Sequence, residues 1–427
     1  MTLLKTSALN GIAVGVRMLT ALGLNKVLAH AVGPSGYAVI GQFQNFVSML
    51  TTFASGAVNT GVTKYTAEYS DNEVRQRMVW RTAGSIAIWC TGLCSVSVLI
   101  LHRQLALWLL DDPQFGGVFI WLGFTMVLLA LNSLLLAILN GKKEVNRYVT
   151  VTITGSLVGL LVTGSLALLG GLYGALVALA INQSIVVVVT MALCYKAPWF
   201  RLKDLWGAID PQVARNLGKY TLMALTSAAV VPVSQILIRN HLVEDFGWEA
   251  AGHWQAVTKI SELYLMLFVS TLSLYYLPRL AEIKAARELK AEILSTYRIV
   301  LPATFLGAAG IYLLRDYITL TLFAPSFLPM RDLFLWQVMG DIMKIGSWIL
   351  AYVMIGHSLT RAYIITEITF SAALVLFVWI ATKTNGLQGA PMAYAMCYGL
   401  YWITMFVVIG NHLKRMNAIG SKSEKAK

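Results

Sequence analysis

Twelve predominantly apolar stretches of about twenty residues or more recur along the 427-residue chain, and no other feature limits its fold as tightly. They fall at 7–31, 37–63, 82–101, 115–140, 149–169, 172–195, 217–240, 250–278, 297–315, 327–355, 362–382 and 387–411. Hydrocarbon offers the backbone no hydrogen-bond partner, so such segments cross it only as helices or as strands of a closed barrel. Runs such as 134–136 (leucines) and 186–189 (valines) lack the in–out alternation of barrel strands. Composition agrees: 57% of the residues are hydrophobic and 12% charged, too few charges to cover a soluble surface. The expected class is an all-α polytopic membrane protein.

Lys and Arg set the orientation. With the N-terminus inside, the inside loops, tails and adjoining span ends carry 23 Lys and Arg, against Arg103, Arg315 and Lys383 outside. That asymmetry predicts both termini in the cytoplasm. It accounts for the net charge of +13 without nucleic acid. Cys90, Cys94, Cys194 and Cys397 lie in apolar stretches without metal-ligand spacing, and no phosphate-cradling glycine loop, GxSxG or HExxH is present. The expectation is a protein that is not an enzyme and needs no cofactor.

The two halves echo each other. Gly36-Tyr37 and Gly41-Gln42-Phe43-Gln44 parallel Gly247-Trp248 and Gly252-His253-Trp254-Gln255 at an offset of 211. Gly171-Leu172, Gly174-Ala175, Ala178 and Ala180 parallel Gly386-Leu387, Gly389-Ala390, Ala393 and Ala395 at an offset of 215. Six spans per half is an even number, so both halves enter from one side. The expectation is two six-helix bundles, 1–195 and 217–411, related by a parallel pseudo-twofold axis along the membrane normal, an architecture of transporters. The basic stretch 196–216 between them reads as an amphipathic helix on the cytoplasmic surface, with 279–295 a second such candidate and 412–427 a cytoplasmic tail.

Ionisable groups inside hydrocarbon are costly and point to function. Arg17 lies ten residues into its span, about 15 Å deep, with no acid on its own helix within a turn. Lys26 and Arg239 sit about a turn from the outside ends. Lys259 with Glu262, and Asp341 with Lys344, fall at i, i+3 on one face, which fits either structural ion pairs or working groups. Gln337, Asp341, Lys344 and Trp348 make one polar stripe, and Gln42, Asn45, Thr52 and Asn59 another. Glu367 stands within reach of Arg361. Arg17, Lys26, Arg239, Lys259 and Lys344 give the lining a positive lean that suits an anion, and Arg suits phosphate through its fork. The amides and the stripe Tyr394, Tyr398, Tyr401 could meet sugars, although ordinary packing or an interfacial position is the stronger reading of the tyrosines.

Several stretches together resemble a known family. They are Asn25-Lys26-Val27-Leu28 through Gly33-Pro34-Ser35-Gly36, Gly61-Val62-Thr63-Lys64-Tyr65, Lys219-Tyr220-Thr221-Leu222-Met223-Ala224-Leu225, Tyr276-Leu277-Pro278, and Met330-Arg331-Asp332-Leu333-Phe334 through Gly340-Asp341 and Lys344. The chain resembles the bacterial Wzx-type flippases, in the polysaccharide transporter branch of the MATE-like superfamily, and among them those serving enterobacterial common antigen. The resemblance spans nearly the whole chain; Glu262 replaces an expected Asp, and a cation at Lys259 is a departure. It implies transfer of an undecaprenyl-diphosphate-linked oligosaccharide between leaflets of the inner membrane by alternating access, for O-antigen or enterobacterial common antigen assembly. It further implies membrane lipids as partners, a polysaccharide polymerase and chain-length regulator nearby, a monomer, and coupling to a proton or ion gradient through Glu262 or Asp341. A multidrug exporter on the same scaffold, or a non-transporting scaffold of polysaccharide assembly, are the competing readings.

Overall fold

The computed structural model describes residues 3–425; the side chains at 3–10, 219–220, 222–224, 274 and 419–425 lie outside that description, as does most of the tail. Among the described residues there is no β-strand. The helices, in chain order, are α1 Leu3–Ala54, α2 Asn59–Glu68, α3 Glu73–Ile100, α4 His102–Leu110, α5 Gly116–Gly141, α6 Val145–Tyr195, α7 Pro211–Thr271, α8 Leu277–Glu282, α9 Ala286–Leu313, α10 Arg315–Leu322, α11 Phe334–Gly356, α12 Thr360–Asn385 and α13 Gly389–Lys425.

Seven helical stretches among the described residues are long and apolar enough to cross a membrane. Three of them, Gly11–Ala54, Val145–Tyr195 and Thr360–Ala418, run 44, 51 and 59 residues, well beyond the ~20 that hydrocarbon requires. Each is broken sharply at one glycine. Gly33 (φ 64°) interrupts α1, Gly171 (φ 55°) interrupts α6, and Gly386 (φ 56°) separates α12 from α13. Gly247 (φ 82°) breaks α7 in the same way. The left-handed region admits glycine without a Cβ clash, so one residue breaks the helix with little backbone left unbonded. At the first break Pro34 follows directly, and its missing N–H is one that a helix start leaves unpaired anyway.

The second span ends earlier than the apolar pattern indicates. Gly56 and Ala57 both take positive φ and close a turn at the end of α1, so Asn59 opens α2. It therefore leaves the helix that carries Gln42, Asn45 and Thr52.

Element boundaries recur along the chain. α3 and α9 each have 28 residues and start 213 positions apart, at Glu73 and Ala286. The left-handed pairs Gly33/Gly247, Gly171/Gly386 and Lys143/Ser358 stand 214, 215 and 215 apart.

The chain divides into two compact units, Met1–Ile236 and Leu237–Lys427. In the first, α5 packs on α2, α3 and α6, and α1 lies along α6; Trp80, Leu134, Leu135, Ile138 and Trp199 are central to its core. In the second, α11 packs on α9 and α13, and α12 on α13; Ile345, Ile349, Met354 and Met405 are central there. Outward faces carry large apolar side chains such as Leu169 (85% exposed) and Trp89 (76%). A water-facing surface would not tolerate that many, whereas lipid is their natural solvent.

The joint after α6 corrects the amphipathic-helix expectation. Residues 205–210 are non-helical, and 202–204 form one 3-10 turn. Pro198 and Pro211 interrupt the donor ladder, and specific bonds to α3 take its place. Asp204, buried, accepts from Arg81 and lies 3.5 Å from Arg77. The Ser85 hydroxyl donates to the Gly207 carbonyl (2.8 Å), and Thr82 accepts from the Asp210 N–H (3.1 Å). Trp199 packs edge-on to Trp80, with Lys142 above both rings. The 279–295 stretch is likewise not one helix: it breaks at 283–285, where Arg279 pairs with Glu282, Glu288 and Glu292.

A Cβ on Gly84 would land on the Leu205 carbonyl oxygen. Gly84→Ala is therefore expected to lift the joint off α3 and destabilise the protein by about 1–3 kcal/mol, the usual penalty for overpacking. Thermal unfolding of the full chain in detergent measures it, and an unchanged midpoint would show that the joint does not depend on this contact.

Candidate functional site

The second unit holds a buried carboxylate. Asp341, at mid-length in α11, is 0% exposed. Its partners come from two other helices. Ser261 and Tyr264 of α7 donate to Oδ2, each at 2.7 Å, and Tyr394 of α13 donates to Oδ1 at 2.9 Å. Gln337, one turn back on α11, reaches Oδ1 at 3.5 Å. A hydrogen bond to a charged group contributes about 1.5–3 kcal/mol, so three hydroxyls substitute for much of the lost water. The cluster ties α7, α11 and α13 through one side chain.

Lys344 follows one turn later, and of the two readings open for the pair, the direct ion pair does not form. Among the described residues no carboxylate lies within 4.0 Å of its ammonium. The Nζ stands instead 5.0 Å from the ring centre of Trp348, 5.3 Å from Tyr398 and 5.5 Å from Tyr394. Hydroxyls satisfy Asp341, and three π-faces hold the cation, each attracting it through its quadrupole. Tyr394 belongs to both arrangements: its hydroxyl holds Asp341 while its face borders Lys344. Glu367, on α12, is within electrostatic reach of Lys344, not within ion-pair distance of Arg361.

Two glycines let α13 come this close. A Cβ on Gly340 would collide with the Tyr394 ring, and one on Gly346 would stand 2.6 Å from Trp402. Trp402 donates to the Tyr297 hydroxyl (2.8 Å), which in turn donates to the Gly346 carbonyl (2.6 Å).

The model of the family described as "Polysaccharide biosynthesis protein" matches residues 3–284. The chain belongs to this family. Two relatives named Lipid III flippase, from Escherichia coli (strain K12) and Shigella flexneri, are each 30% identical over 402 residues, covering 94% of this chain and 97% of theirs. Among solved structures, an inward-facing multidrug resistance MATE family transporter of the MOP superfamily superposes with a TM-score of 0.81 at 12% identity, over 94% of this chain and 96% of that one. A MOP superfamily transporter from Pyrococcus furiosus, whose description notes a reversed polarity of its binding pocket, gives a TM-score of 0.68 at 13% identity over 95% and 96%. This family member thus has the MATE fold and is a multi-pass helical membrane protein.

Within the family member, the other sequence-selected residues scatter. Arg17 and Lys26 of α1 are exposed, with no carboxylate within 4.0 Å among the described residues. Gln42 is fully buried, Asn45 and Thr52 are half-buried, and the Thr52 hydroxyl is spent on the Ser48 carbonyl. Arg239 is buried, donating to Gln255 and lying 5.5 Å from the Trp254 ring centre. Its guanidinium is committed within its own unit instead of lining a space. Lys259 and Glu262 do pair, at 3.0 Å, on a face open enough to leave Glu262 55% exposed. Tyr401 is a core residue packed against Phe370, which removes it from the sugar-lining set. Ser261 and Tyr264 were not singled out: a hydroxyl in an apolar helix carries no sign of the carboxylate it will meet on another helix.

Gly340→Ala should displace Tyr394 and weaken its bond to Asp341, destabilising the chain by about 1–3 kcal/mol. Gly410→Ala is the control, since nothing lies within 4 Å of its Cβ position and Ala is the better helix former. Equal thermal midpoints for the two variants would mean that α11 and α13 are not in close contact at Gly340.

Proposed function

We propose that this protein flips an undecaprenyl-diphosphate-linked oligosaccharide from the cytoplasmic to the periplasmic leaflet of the bacterial inner membrane by alternating access. The observation that carries the reading is the 30% identity, over nearly the full length of both chains, to proteins named Lipid III flippase. Likeness to the multidrug transporters rests on 12–14% identity and speaks for fold alone. The protein transports and does not catalyse; it acts as a monomer in membrane lipid, beside a polymerase and a chain-length regulator.

Counting the four glycine breaks as crossings divided in two, the helices make twelve spans: α1 (two), α3, α5 and α6 (two), then α7 (two), α9, α11, α12 and α13. The recurring offsets of 213–215 support two six-span bundles repeated in parallel, with both termini cytoplasmic. The joint 196–216 lies on the cytoplasmic side.

Lys344 is the second unit's cation offered to the diphosphate, and Arg17 is the first unit's own candidate, each taken by itself. An ammonium held by π-faces keeps its charge available to an anionic guest, whereas an ion-paired one is already neutralised. Asn45, Trp348 and Tyr398 are offered to sugar, and Lys26 and the Lys259–Glu262 pair are further candidate groups, while Gln337 is buried against Asp341. Asp341 is the proton-sensitive group. A proton on it turns one accepting oxygen into a donor, so a hydroxyl facing that oxygen must turn from donating to accepting or move away. If Tyr394 turns, the enclosure of Lys344 changes with it, which would link a proton gradient to the release of phosphate.

Lys344→Ala or Arg17→Ala should lower transport tenfold to a hundredfold, about the loss of one charged hydrogen bond, at unchanged membrane abundance. Arg17→Lys should retain part of the activity, because charge persists without the fork. Accumulation of lipid-linked oligosaccharide in cells reads the effect, and full surface polysaccharide in Arg17→Ala and Lys344→Ala would displace the site. Asp341→Asn with Lys344→Gln should fail to restore transport, since the two do not neutralise each other; near-parent export by the double variant would refute this assignment.

The exposed Lys203 tests the topology separately. A cysteine placed there should react with an impermeant maleimide only in inside-out vesicles, and labelling of intact cells would reverse the orientation.

A further inference from the structure

A second basic site lies apart from Lys344, at the end of the second unit where α11 turns into α12. Residues 358–362 and Val408, Asn411, His412 and Arg415 of α13 surround a pocket of about 520 Å³. Arg361 and Arg415 both line it, and among the described residues neither has a carboxylate within 4.0 Å. No acidic residue lines the pocket. His412 is held at its rim by His357, Nε2 to Nδ1 at 3.1 Å. The start of α12 also opens here, with no side chain capping its first N–H groups; that adds a favourable dipole for an anion.

The pocket is not uniformly polar. Leu359, Ala362 and Val408 share its wall. Large exposed apolar side chains continue from it along both helices: Ile365 and Ile368 on α12, and Val407, Phe406 and Ile403 on α13. Two guanidinium groups without a carboxylate partner among the described residues select a phosphate, which their forks can hold at two points. An apolar lane beginning within about two turns selects one that carries acyl chains. We propose that this pocket binds the phosphodiester headgroup of an anionic phospholipid, with its chains lying along α12 and α13. Basic pockets between helices at a membrane face are a general solution for such headgroups. The site is independent of the transport assignment, because none of its residues belongs to the Lys344 cluster.

The test uses the purified full-length chain in neutral detergent, titrated with short-chain phosphatidylglycerol, short-chain phosphatidylcholine or inorganic phosphate. Thermal unfolding and native mass spectrometry report binding. Phosphatidylglycerol should raise the midpoint and stay bound. Removing both charges with Arg361→Gln and Arg415→Gln should weaken it by roughly tenfold or more without moving the lipid-free midpoint. Arg361→Lys with Arg415→Lys should fall between that variant and the parent, which keeps the comparison usable if the glutamine variant is unstable. Equal affinity for the two lipids would overturn the proposal, as would phosphatidylglycerol binding that survives in the glutamine variant. Stabilisation by inorganic phosphate matching that by phosphatidylglycerol would overturn the lipid assignment as well, since the apolar lane would then contribute nothing.

Discussion

Every other feature of this protein answers to one constraint: backbone N–H and C=O groups in hydrocarbon must bond within the chain. It explains why the described residues contain helices and no strands, and why breaks within the long helices are concentrated at single residues. Gly33, Gly171, Gly247 and Gly386 break the helix in the left-handed region, where glycine has no Cβ to clash. A longer loop at those points would leave polar backbone without partners. The compactness of these breaks is also why apolar stretches run together into helices of fifty residues or more.

The same constraint governs the buried charges. Asp341 is deep in the second unit, and its solvation comes from Ser261, Tyr264 and Tyr394. That choice has a consequence for its neighbour. An Asp satisfied by Lys344 would leave no cation for a guest, while an Asp satisfied by hydroxyls leaves Lys344 to the rings of Trp348, Tyr394 and Tyr398. The hydroxyls are neutral donors, so they solvate Asp341 without placing a second charge beside it. Close approach of α13 to α11 makes this possible, and Gly340 and Gly346 permit that approach.

Charge is spent differently at the joint. Basic residues on α3, Arg77 and Arg81 among them, read as orientation signals in the sequence. Both also turn to the buried Asp204, and Thr82 and Ser85 complete the grip on a segment that never becomes a helix. A surface-lying amphipathic helix would have left these arginines for lipid headgroups. The contrast with Arg361 and Arg415, which face a pocket and no acid, separates cations used within the fold from cations still available.

Hydropathy, charge asymmetry and a repeat near 211–215 residues were enough to determine a polytopic helical membrane protein, because each is a property of segments that lipid reads one helix at a time. That Asp341 and Lys344 stand near the middle of an apolar helix was legible for the same reason. Their partners were not. An i, i+3 spacing shows that Asp341 and Lys344 share a face, but whether they pair depends on what the neighbouring helices bring. Ser261, Tyr264 and Tyr394 are far away in sequence and carry no pattern of their own. Likewise Arg239 read as a lining cation until Gln255 and Trp254 enclosed it, and Asn59 read as part of a stripe until Gly56 and Ala57 ended the helix. Segment character follows from local composition against a uniform solvent; side-chain pairing follows from helix packing, which only the tertiary structure decides.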